Sequence, residues 1–136
     1  GELKKALAAL DALQEYDQWR ARNGLGGLNI KINFLFQQDN WQELGDVYNF
    51  SKKQPVDVFR TFLYEPEQYS LLSCSEDKRI EILEWYFLNL SADQLLHSMR
   101  VIRPLLDSLS SLNKFYFYEK YHGMIKQNNR LDLESP

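Results

Sequence analysis

Leu3, Ala6, Leu7, Leu10 and Leu13 recur at three- and four-residue intervals, which places them on one face of a helix predicted over residues 2–22. "NGLGG" (23–27) closes that helix, because asparagine and glycine accept the left-handed backbone of a helix C-terminus. The period then shortens to two. Leu28, Ile30, Ile32, Phe34 and Phe36 alternate with Asn29, Lys31, Asn33, Leu35 and Gln37, so 28–36 reads as a strand. After the polar bend "QQDN", Asn40 and Glu43 have the spacing of a capping box. Leu44, Val47, Tyr48 and Ser51 follow as the inner stripe of a second helix, ending near Lys52 or Lys53. "VDVFRTFLY" (56–64) is β-branched and aromatic, which predicts a second strand.

Two strands joined by a helix normally lie parallel with a right-handed crossover. The first half is therefore expected to be an α/β unit, a partial, half-barrel-like parallel sheet with its helices. The second half changes character. Ile80, Leu83, Tyr86, Phe87 and Leu90 make one stripe over 75–90, and Ser91 to Gln94 has capping-box spacing at the start of the next helix. Leu95, Met99, Ile102, Leu106 and Leu109 continue that helix, with Pro104 expected to kink or interrupt it near Arg103. Asn113 can cap a last helix that frays in "NNRLDLESP". The chain thus divides into an α/β unit (1–72) and a helical extension (73–136) packed on it.

At 136 residues, 44% hydrophobic and 26% charged, the composition is that of one globular domain. A net charge of −3 gives no field that would favour nucleic acid or anionic lipid. No apolar run reaches the roughly 18 residues of a membrane span. The single cysteine, Cys74, excludes an internal disulfide and a multi-thiolate metal site, and a cytoplasmic, reducing setting is expected.

Little of the remaining chemistry forms a constellation. His97 and His122 lie on different predicted helices without metal-ligand spacing. Cys74 sits at a helix start with no base nearby, and Glu76/Asp77 and Glu81/Glu84 lie among Lys78 and Arg79 on a solvated face. "GLGGLN" leads into a strand rather than a helix, so it is not a phosphate cradle. "FYFYEKY" (115–121) sends Phe115, Tyr118 and His122 to one side of a helix and Phe117, Tyr121 and Met124 to another. Such a helix is buried between layers or covers a partner. The polar side of the first strand is either solvated or faces a ligand site at the carboxyl end of the sheet.

The stretch from "GELKKALAAL" to "QPVDVFR" resembles the later half of a radical S-adenosylmethionine enzyme barrel. Gly1, Leu7, Leu10, the strand 28–36, Asn40, Glu43, Leu44, Val56 and Asp57 occur in the order that family shows. "YEPEQYSLLSCSEDKRIEILEWY" is similar to the segment after its last barrel strand, so the likeness covers about residues 1–90. It implies contacts to cofactor or substrate from Asn33 and Arg60 on the strands and Asn40 in the turn. It also implies S-adenosylmethionine and a [4Fe–4S] cluster in a parent protein. The family's C-x-x-x-C-x-x-C loop needs three thiolates and this chain has one cysteine. The chain is therefore expected to be a C-terminal fragment, not competent alone. Its partners would be the rest of that parent or another protein, and its open sheet edge could support a homodimer. The other reading is a non-catalytic α/β adaptor that binds a protein through its aromatic C-terminal helix.

Overall fold

A computed structural model describes residues 2–53 and 56–134. Helix α1 (Glu2–Arg22) leads to strand β1 (Lys31–Phe36), helix α2 (Leu44–Lys53) and strand β2 (Asp57–Phe62). Helices α3 (Glu76–Asn89), α4 (Ala92–Leu96), α5 (Met99–Asp107) and α6 (Ser111–Glu134) follow. The chain is a mixed α/β fold in which β1 and β2 pair parallel.

The end of α1 is built as its sequence suggests. Gly24 takes φ +72°, the Leu25 amide bonds to the Arg20 carbonyl at 2.9 Å, and Arg20 Nε donates to the Gly26 carbonyl. The first of these bonds satisfies a carbonyl that the helix end leaves free, and the second ties the last turn to the loop that follows. The face of α1 is less buried than its spacing suggested. Leu10 is 2% exposed, whereas Leu7 and Leu13 are 39% and 42% exposed.

The strands are shorter than the alternation implied, because pairing begins at Lys31↔Asp57 and ends at Phe36↔Phe62. Ile32, Phe34 and Phe36 turn towards the helices, where Phe34 meets Phe50 of α2 edge-on at 6.1 Å. The expected half-barrel is not formed. The sheet has two strands among the described residues, and two strands are too few to curve around a lumen.

The core lies where α2 and α3–α6 meet the covered side of this sheet. Leu44, Val47, Leu71, Ile82, Leu83, Tyr86, Leu95, Val101, Ile102, Leu105 and Leu106 are fully excluded from water. One apolar cluster runs from Leu10 and Phe34 through to Phe117 and Tyr121, so the α/β part and the helical part share a core. The buried Tyr86 hydroxyl crosses between them and donates to the Trp41 carbonyl at 2.6 Å.

Three expectations for helix ends are corrected. The Ser91/Gln94 capping box forms, but α4 stops at Leu96, and the break falls at His97–Ser98 rather than at Pro104. Pro104 lies within α5, where it removes one backbone donor beside the exposed Arg100 turn. The earlier break turns Leu95 and the pairs Val101–Ile102 and Leu105–Leu106 into one core. Asn113 does not cap α6, which starts at Ser111; its amide instead donates to the Ser110 hydroxyl at 3.2 Å. Finally, α6 stays helical through Glu134 instead of fraying across "NNRLDLE". No helix among the described residues is long and apolar enough to cross a membrane.

Candidate functional site

Side chains alternate along each strand, so the parallel register fixes which residues share a face. Asn33 pairs with Phe59 and Phe34 with Arg60. Lys31, Asn33 and Leu35 therefore lie with Asp57, Phe59 and Thr61 on the face that no helix among the described residues covers. Leu35 is 43% and Phe59 42% exposed there. The Thr61 hydroxyl donates to Asn33 Oδ1 at 2.8 Å and ties the two strands across this face.

Outside β1, on the edge away from β2, Lys5 and Ala6 of α1 stand across from Ile32, Asn33, Leu35 and Asn40. A cleft of about 400 Å³ separates them. No strand among the described residues pairs with that edge.

Asn40 closes the carboxyl end of β1. Its Oδ1 accepts from the Gln37 amide at 2.8 Å and its Nδ2 donates to the Leu35 carbonyl at 2.9 Å. The residue is 7% exposed. The capping box expected from Asn40 and Glu43 is absent, because the amide points back to the strand rather than forward into the short 3₁₀ turn Trp41–Glu43. A carboxamide carries both an acceptor and a donor, and this turn uses both.

Arg60 leaves the sheet on the opposite side from Asn33. Its guanidinium lies 5.2 Å from the centre of the Tyr48 ring, and Nη2 donates to the His97 carbonyl at 3.0 Å. Asn33, Asn40 and Arg60 are thus not brought together: one is on the open face, one is built into the turn and one is under the helices. As a set they do not fit S-adenosylmethionine. A lone thiol does not fit an iron–sulfur cluster.

Beside Arg60 is a polar knot that sequence reasoning missed. The Tyr48 hydroxyl donates to Asp93 Oδ2, Lys52 Nζ reaches the same oxygen at 3.0 Å, and His97 Nδ1 lies 3.3 Å from Oδ1. The Tyr48 hydrogen bond, helped by Lys52, holds the Asp93 carboxyl below its usual range. Tyr48 read only as a core position and Asp93 as part of a helix start. Their separation of 45 positions left no local signal.

On α6, Phe117 and Tyr121 are buried, and Phe117 stacks on Phe87 at 5.9 Å. Tyr118 is half-buried and donates to Asp107 Oδ1 at 2.6 Å. Leu112, Phe115 and Tyr116 face outward at 80%, 66% and 57% exposure. Cys74 is half-buried, and His97 and His122 lie apart on α4's end and α6.

Compared with family models, with curated proteins and with solved structures, the chain matches none.

Proposed function

We propose that the chain is part of a radical S-adenosylmethionine-type enzyme, to which it supplies two strands of a larger parallel sheet and a substrate-facing surface. The observation that carries this reading is the uncovered face of β1–β2. It holds Lys31, Asn33 and Thr61 among the half-exposed Leu35 and Phe59, and no strand among the described residues pairs with the edge of β1 next to it. A parallel sheet is ordinarily covered on both faces, and its ligands bind at the carboxyl ends of its strands. In this reading the cluster and S-adenosylmethionine are held by other segments of a cytoplasmic parent protein. This chain contributes Asn33 and its neighbours to the substrate side. Asn40 shapes the turn at the strand end, and Arg60 acts elsewhere. Expressed alone, the same edge is open to a second copy of the chain.

The test is to purify the natural gene product that carries this chain and reconstitute it anaerobically with iron and sulfide. The expected result is cluster absorbance, with 5′-deoxyadenosine formed on reduction in the presence of S-adenosylmethionine. A natural product that takes up no cluster sinks the proposal.

One observation favours a second reading, an adaptor that docks a protein. Leu112, Phe115 and Tyr116 form an outward apolar strip on the first turns of α6. Tyr121, by contrast, belongs to the core.

A further inference from the structure

The bonds at the end of β1 show which way its backbone groups point. The Phe36 carbonyl accepts from the Leu63 amide at 3.1 Å, so the backbone groups of Phe36 face β2. In a parallel ladder, successive residues of a strand turn their amide and carbonyl to opposite sides. Ile32 and Phe34 therefore also pair with β2, and the groups of Lys31, Asn33, Leu35 and Gln37 face the outer edge. The Asn40 carboxamide, which reaches the Leu35 carbonyl and the Gln37 amide, lies on that edge.

Those two groups are the pair that a strand residue opposite Phe36 would engage. In a parallel ladder a residue donates to the carbonyl before the residue it faces and accepts from the amide after it. Asn40 Nδ2 and Oδ1 make the same two bonds, at 2.9 and 2.8 Å. A side chain of the protein thus already fills the last place on the edge. Before it, the Lys31 carbonyl, both groups of Asn33 and the Leu35 amide have no hydrogen-bond partner among the described residues. They offer the same pair of bonds opposite Ile32 and again opposite Phe34.

Helix α1 is under-packed beside the same edge. α2 touches both strands that it joins. α1 leads into β1 as α2 leads into β2, but it has one strand beside it rather than two. On its inner face Leu10 is buried and Leu3 and Ala6 pack against the core, while Leu7 and Leu13 stay 39% and 42% exposed. The cleft of about 400 Å³ between α1 and β1 lies where a further strand would run.

We propose that one extended segment of the parent protein, outside this chain, enters this cleft as a third strand. It pairs with β1 opposite Ile32 and Phe34 and is stopped by Asn40. This inference rests on the larger sheet proposed above, and its test is separate from cluster chemistry.

The test is amide hydrogen exchange at single-residue resolution, by mass spectrometry with electron-transfer fragmentation. It compares the 136-residue chain, dilute enough to be monomeric, with the natural gene product that carries it. In the chain alone, Asn33 and Leu35 should exchange fast, while Phe34, Phe36 and Gln37 are protected. In the natural product, Asn33 and Leu35 should slow by about tenfold or more, as expected of amides that gain a ladder bond. Asn40→Ala should release Gln37 in both proteins and leave the protection of Asn33 in the natural product. Asn33 and Leu35 slow in the monomeric chain, or fast in the natural product, overturn the inference. So does Gln37 still protected in the natural product carrying Asn40→Ala, because the third strand would then run past Asn40. A natural product that takes up a cluster but leaves Asn33 and Leu35 fast overturns this pairing alone. Protection without a cluster keeps the pairing and removes the enzyme reading.

Discussion

Asn40 shows how one side chain can close a strand end. Its carboxamide takes the Gln37 amide and gives to the Leu35 carbonyl, and almost none of it is exposed. Asn40→Ala would leave both backbone groups without a partner, at a cost of about 1–3 kcal/mol in urea unfolding. Asn40→Asp keeps the acceptor but loses the donor to Leu35, so it should not restore stability. A loss within error for both variants would mean that water replaces the amide and that the turn is built otherwise. The sequence marked Asn40 as special, but through the wrong partner. Capping-box spacing describes a helix start, and nothing local says that the amide will turn back to the strand. Arg60 was legible only as a residue on the second strand. Its face depended on the register, which the weak alternation of "VDVFRTFL" did not set.

Among the elements, those with a sharp period were readable. The period-two run became β1, the helix end at Gly24 fell where cap chemistry put it, α3 began beside Cys74 as its stripe implied, and α2 ended at Lys53. The break at His97–Ser98 was not readable, since Pro104 is the stronger local signal. With the break there, Leu95, Val101 and Ile102 are all buried in one apolar cluster. Helix α6 shows the same limit in another form. Two aromatic stripes compete in "FYFYEKY", and tertiary packing chose Phe117 and Tyr121 for the core. Phe117→Ala should therefore destabilise by about 3–5 kcal/mol, as deletion of a buried ring does. Phe115→Ala should stay within about 0.5 kcal/mol. Chemical denaturation of the two variants reads this directly; equal losses would mean that the helix is rotated from the orientation described. If the outward strip docks a protein, Phe115→Ala should weaken that binding without lowering the melting temperature.

At the scale of the whole molecule, the α/β class followed from the helix–strand–helix–strand order, but the extent of the sheet did not. Alternation along a single strand says which face is apolar and is silent on how many strands lie beside it. The result is lopsided. One face of β1–β2 meets the helices, while the other carries Leu35 and Phe59 half in solvent, beside an edge that no strand among the described residues pairs with. That surface is the basis of the proposed role, and its coverage can be measured. Leu35→Cys in a Cys74→Ser background provides one reporter thiol, to be modified by a maleimide in this chain alone and in the natural gene product that carries it. Fast modification of the chain alone and strong protection in the natural product are expected. Equal rates in the two, or a natural product no longer than this chain, would contradict the account.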